Sequence, residues 1–352
     1  MIKKTNACRR TLWVDYAKAI GIILVVYGHV SRGLNKAHIP MNESLFKMID
    51  TVIYSFHMPL FFFLSGLFFV RSLQKRGLKG LVANKLDSIF YLYVVWSVLQ
   101  GALSIMFQQW TNDTIKLVEI FSLFLAPSGQ FWFLYALFFI TLISAFIFEK
   151  INQKYALPLF LLSLLIVIFN LPNYGITPLI YVLPYLCLFM FGIYFNQIEH
   201  FFIANKYRLL LPLALVFTGA QWLSLTQQHL VPNSFLSAVK LTITLVSILF
   251  SVNICMCLAD KHIKLLSTIG ASSMIVFLVH VITGSGTRIM LQHYLGFNNY
   301  WLHIILGFLL GLFGSMLLAK LLSKIGMSFL FEIPQQISLE RKLNKLALNH
   351  LM

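Results

Sequence analysis

The chain has 352 residues, 59% of them hydrophobic and only 11% charged, a composition that excludes an ordinary soluble globular protein. Lys and Arg number 27 against 11 Asp and Glu, a net charge of +16 that in a soluble chain would suggest nucleic-acid binding. In an apolar chain the tendency of cytoplasmic loops to collect Lys and Arg accounts for it instead. The four cysteines, Cys8, Cys187, Cys255 and Cys257, lie in the N-terminal arm or in apolar runs with no C-x-x-C pair, which argues against a disulfide framework and a structural zinc site.

Residues 1–11 carry Lys3, Lys4, Arg9 and Arg10 ahead of an apolar run from Leu12 to about Val30. That run is longer than a signal-peptide core, is interrupted by Asp15 and Lys18, and lacks a small-residue cleavage site, so it reads as a retained first helix. With the first run at about 12–32, further runs of bilayer length at about 46–70, 84–108, 130–148, 156–171, 178–196, 208–226, 234–258, 268–291 and 300–324 make ten. The even-numbered connections hold Arg71, Lys75, Arg76, Lys79 and Lys85, then Lys150 and Lys154, Lys206 and Arg208, and Lys261 and Lys264; the tail adds Arg341, Lys342 and Lys345. The odd-numbered connections are poorer, with Arg32, Lys36 and Lys116. The expected architecture is therefore an all-α integral membrane protein, one domain made of a bundle of about ten transmembrane helices with both termini cytoplasmic. Its N-terminal arm is 1–11, its tail about 325–352, and no appended soluble domain or internal repeat is expected. The longest external connection, roughly 109–129, holds at most a short helix.

Ionisable groups cost roughly 2.5 kcal/mol or more at the centre of a membrane helix, so each needs a partner or a use. Of ten histidines, His29, His57 and His280 fall well inside predicted helices; the rest, His229 and His303 among them, fall in loops, near helix ends or in the tail. On the first helix Lys18 and His29 are eleven residues apart, which puts them on one face about 16 Å apart along the axis. Lys18 then lies near the cytoplasmic headgroups, snorkelling or binding a ligand, and His29 past mid-membrane, bonding a neighbouring helix or doing chemistry. In the second run, Pro59 follows His57-Met58 and frees a backbone carbonyl, so either a plain kink or a cavity is expected beside His57. Trp132, in the Gln130-to-Leu134 segment that opens the fourth run, reads by itself as an interfacial anchor. In the ninth, Ser273 and His280 share a face two turns apart, ahead of Arg288, which helix packing also explains. A nucleophile elbow, a phosphate loop, a dinucleotide fingerprint and an H-E-x-x-H helix are all missing, and Asp15, Asp50 and Asp87 are too scattered for glycoside hydrolysis.

Taken together, these residues resemble acyltransferase family 3, the multi-pass membrane O-acyltransferases, and most closely its branch similar to fucose 4-O-acetylase. Trp13 to His29 is similar to the family's opening motif, a basic residue followed by histidine, with Lys18 where many members have Arg. His57 through Phe61 to Ser65-Gly66 resembles the second motif, and Trp132-Phe133-Leu134 and Ser273 to His280 resemble weaker ones. The resemblance covers nearly the whole chain. It implies a ten-helix core in the cell membrane, expected to be a bacterial inner membrane. It also implies transfer of acetyl from cytoplasmic acetyl-CoA, with no metal, to a sugar hydroxyl of a cell-surface polysaccharide or its lipid-linked precursor. Under that reading His29 is the general base, or alternatively forms a covalent acyl-histidine. Lys18 serves both catalysis and the donor, joined by Arg71, Arg76 and Lys85 around the coenzyme A phosphates. Asp15, His57, Ser65, Trp132, Ser273, His280 and Arg288 would line the substrate cavity. The implied partners are a carbohydrate or lipid-linked glycan and membrane lipid, with no nucleic acid. The rival reading is a multi-pass transporter or flippase for a glycan or lipid-linked substrate, which broken helices and buried ionisable groups also fit.

Overall fold

The structure, a computed structural model, describes residues 2–112, 127, 129–169, 177–226 and 233–349. Most of the 109–129 connection, with Lys116, lies outside the described residues, as do the 172–177 and 227–233 connections for most of their length, His229 included. Every regular element described is helical: α1 (Ile2–Lys36), α2 (Glu43–Tyr54), α3 (His57–Leu67), α4 (Phe69–Lys85), α5 (Tyr91–Met106), α6 (Trp132–Lys150), α7 (Ala156–Ile168), α8 (Thr177–Thr226), α9 (Asn233–Leu258), α10 (Lys264–Ala271), α11 (Ser273–Ile289), α12 (Tyr300–Leu309), α13 (Ser315–Lys324) and α14 (Leu339–Asn349). A π-helical turn at Leu86–Phe90 joins α4 to α5, another at Leu310–Gly314 joins α12 to α13, and a third, Met290–Tyr294, extends α11.

Among the described residues eight helical stretches are long and apolar enough to cross a bilayer, and Gln153–Ile168 is a shorter apolar one. The stretch Leu179–Thr226 is a single helix of 48 residues where two spans were expected. At 1.5 Å per residue it is about 72 Å long, over twice the hydrocarbon thickness of a bilayer. The polar segment Asn196–Arg208 contains neither Gly nor Pro, so nothing in it breaks the helix. The second run divides instead. Pro59 lacks an N–H and its ring crowds the carbonyl four residues back, and the break between α2 and α3 falls there, at Ser55 and Phe56. The freed Ser55 carbonyl accepts a hydrogen bond from Thr244 Oγ1 at 2.8 Å, and Ser55 Oγ accepts one from Gln221 Nε2 at 3.1 Å.

The chain divides into two compact units that interleave in sequence, the first made of 1–64, 167–170 and 195–317, the second of 65–166, 171–194 and 318–352. In the first, α1 packs against α9, α10, α11 and α12. Tyr16, Ala17, Ala19, Ile22, Val25 and Val26 of α1 are wholly buried. Small residues permit the approach, as close helix packing in lipid requires. A Cβ on Gly270 would overlap the Asp15 carbonyl oxygen, and one on Gly307 or Gly311 would stand 2.9 or 2.7 Å from the methyls of Val30 or Val26. In the second unit, α4 and its π turn pack on α6, with Phe69 set edge-on to Phe148 and Phe189. There too α14 docks on α4 through its N-terminus. The buried Asp87, on the π turn, accepts hydrogen bonds from Ser338 Oγ (2.7 Å), Leu339 N (3.1 Å) and Glu340 N (3.0 Å), capping α14 with a carboxylate from 251 residues upstream. Arg76 Nε and Asn84 Nδ2 donate to the Glu340 carboxylate at 2.9 and 2.7 Å.

Candidate functional site

Three histidines of the first unit, His29 on α1, His280 on α11 and His303 on α12, line one cavity together with Arg288 and Ser285. Its volume is about 50 Å³, room for a water or a single hydroxyl rather than a sugar ring. His280 is 1% exposed, and its Nδ1 lies 3.0 Å from the Val276 carbonyl and 2.8 Å from that of Phe277. A carbonyl oxygen only accepts, so Nδ1 carries the hydrogen, and the neutral ring presents Nε2 as a bare lone pair. That nitrogen is buried and has no hydrogen-bond partner among the described residues.

His303 repeats the arrangement with the opposite tautomer. It is 1% exposed, its Nε2 donates to the Phe297 carbonyl at 2.8 Å, and its buried Nδ1 has no partner among the described residues. The local sequence builds this geometry. Gly296 adopts a positive φ of 69° that turns the chain, and Asn299 caps α12 by accepting from Leu302 N at 3.0 Å. His303 therefore sits one turn into the helix, where its ring reaches back to the loop.

His29 is partly exposed and makes no hydrogen bond among the described residues. Its ring stands edge-on to that of His280, centre to centre 5.0 Å, at 71°. The buried Arg288 donates from Nη1 to Gln292 Oε1 at 3.0 Å while lining the same cavity. Unsatisfied buried nitrogens cost roughly 1–3 kcal/mol each. Here the two histidines that carry them, with a third imidazole, line a space that admits a hydrogen-bond donor.

The other residues singled out from the sequence are placed as follows. His57 is buried and is not among the residues lining the cavity. Its Nδ1 donates to the Ile53 carbonyl at 2.8 Å, and its ring stands 4.5 Å from that of Tyr54. Tyr54 in turn lies under the Arg32 guanidinium, 3.1 Å from the ring centre, and Arg32 grips Asp50 with two bonds of 2.7 Å. Lys18 pairs with Asp15 one turn earlier on α1 at 3.7 Å, both about one-third exposed. Ser273 begins α11, two turns before His280. The remaining candidates belong to the second unit. Trp132 packs on Tyr181 and Tyr185, with ring centres 6.4 and 5.0 Å away. Ser65 adjoins Gly66, whose Cα closes on the Phe189 carbonyl. Arg71 is exposed, Lys85 half-buried, and Arg76 is paired with Glu340. Lys18 and the three cations expected to join it thus lie on different units.

His303 is the cavity residue that its place near a helix end concealed. Its signal was available: Asn299 is a strong N-cap, and His303, Gly307 and Gly311 recur every four residues on one face, the pattern of a tightly packed stripe. Among the described residues no three His, Cys, Asp or Glu side chains are grouped as metal ligands.

The family model for the acyltransferase domain matches residues 11–320, most of the chain and all the cavity residues. Comparison with curated proteins and with solved structures yields no match.

Proposed function

The chain belongs to acyltransferase family 3, and we propose that this membrane acyltransferase moves acetyl from acetyl-CoA to a sugar hydroxyl of a cell-surface polysaccharide or its lipid-linked precursor, with His29 as general base. The observation that carries the reading is the cavity with three imidazoles, two of them anchored by main-chain carbonyls with their other nitrogens unpaired among the described residues. His29 is the most accessible of the three, so the acceptor hydroxyl donates to it. As the hydroxyl oxygen bonds to the thioester carbonyl carbon, its proton passes to His29. Collapse of the tetrahedral species breaks the carbon–sulfur bond, and His29 returns the proton to the leaving thiolate, giving an ester and a free thiol. His280 is a positioning residue here: two main-chain carbonyls fix its ring edge-on to that of His29, centre to centre 5.0 Å, and keep its Nε2 as an acceptor. The Arg288 guanidinium suits the developing oxyanion, and Lys18, three turns away on α1, suits the phosphates of the donor.

The test uses membranes holding the full chain, acetyl-labelled acetyl-CoA and the surface glycan of the producing cell. Base-labile label on the glycan is the expected result, lost in His29→Ala. Absence of label from the glycan with the wild-type chain overturns the proposal.

A further inference from the structure

The C-terminal helix α14 is tied down at its first turn and stands open over residues 341–346. Glu340 and the capped N-terminus hold its first turn, whereas Leu339, Leu343 and Leu346, spaced along one face, remain 42%, 37% and 56% exposed. An amphipathic helix of a soluble protein buries that stripe; one at a lipid interface leaves it open and flanks it with cations, as Arg341, Lys342 and Lys345 do here. Beside the stripe runs a groove of about 470 Å³, walled by Leu78, Val82, Leu86 and Phe146 as well as Leu339 and Leu343. Its α4 wall starts just after Gly77, whose positive φ of 66° interrupts the helix and sets the direction of Leu78–Lys85. The walls are hydrocarbon and offer no hydrogen-bonding group for a nucleobase or ribose; the polar heads belonging to the groove are those of two exposed lysines, Lys79 and Lys342, one from each helix.

We propose that this groove binds an anionic phospholipid, one acyl chain lying along the leucines and the phosphate held between Lys79 and Lys342. The charge selects the headgroup, the hydrocarbon walls select a chain, and the membrane supplies both. The site lies wholly within the second unit and stands independently of the catalytic reading.

The experiment uses the full chain reconstituted in nanodiscs containing equal phosphatidylglycerol and phosphatidylcholine, with retained lipid counted by native mass spectrometry. The wild type should retain phosphatidylglycerol preferentially, each lysine contributing up to about a five-fold preference. Lys79→Ala with Lys342→Ala should bring the preference near unity, Lys79→Arg with Lys342→Arg should keep it, and the charge-matched control Lys261→Ala with Lys264→Ala should leave it intact. Equal retention of the two lipids by the wild type overturns the proposal. So does equal loss in both alanine pairs, which would mean diffuse electrostatics, and so does displacement of the lipid by acetyl-CoA, which would assign the groove to the donor.

Discussion

The histidine cavity and the Asp87 clamp on α14 are both polar clusters in apolar surroundings, and they are satisfied to opposite degrees. Asp87 accepts three hydrogen bonds and Glu340 two, with Arg76, Asn84 and Ser338 all engaged. In the cavity, His280 and His303 each secure one ring nitrogen and leave the other buried and bare. Closed networks of the first kind are architecture, since each group repays its own desolvation. Two imidazole nitrogens without a protein partner among the described residues, on residues lining one cavity wide enough for a hydroxyl, are the kind of acceptors an entering hydroxyl can bond.

The sharpest way to break the contrast is His29→Ala. Removing the proton acceptor should lower kcat by about 100-fold or more while the KM for donor holds, as general-base loss requires. A donor-concentration series on membranes checks it; a change confined to KM would mean that His29 binds the donor rather than accepting the proton.

His280 comes next. His280→Ala should lower kcat by about 10-fold or more, and His280→Gln should recover part of that, because its amide oxygen places an acceptor near the former Nε2. A packing residue would show no such recovery, since Gln fills the space no better than other side chains. Asp87→Ala gives the opposite outcome. Loss of the cap should cost about 2 kcal/mol of α14 docking, seen as faster proteolysis of the 338–349 tail, with acyl transfer by the intact chain little changed.

Much of this contrast was readable from local pattern. Lys18 and His29 stand on a continuous helix as their spacing requires, and the break forced by Pro59 falls where its i−4 carbonyl lies. What was not readable depended on partners far away in the chain. The polar 196–208 segment reads as a loop until one notes that it lacks a helix breaker, and hydropathy alone does not supply that. Asp87 looks like a stray acid at a membrane edge because its partners are some 251 residues distant. His303 needed both the Asn299 cap and the packing of Gly307 on Val30 to be recognised as an interior group.

The smallest effect concerns Lys18, for which the sequence offered a ligand contact or a snorkelling anchor. Its ion pair with Asp15 is 3.7 Å long and one-third exposed, a geometry worth little to stability because water screens it. Lys18→Ala should therefore insert and accumulate normally. If the lysine serves the donor, the KM for acetyl-CoA rises several-fold with kcat nearly unchanged, and Lys18→Arg stays close to wild type, since the guanidinium keeps the charge and also pairs with phosphate. The rise should shrink as salt is added, because an exposed charge acts through a screened field. An unchanged KM in Lys18→Ala at low salt would leave Lys18 as an anchor of α1 and confine the donor's recognition to groups nearer the histidines.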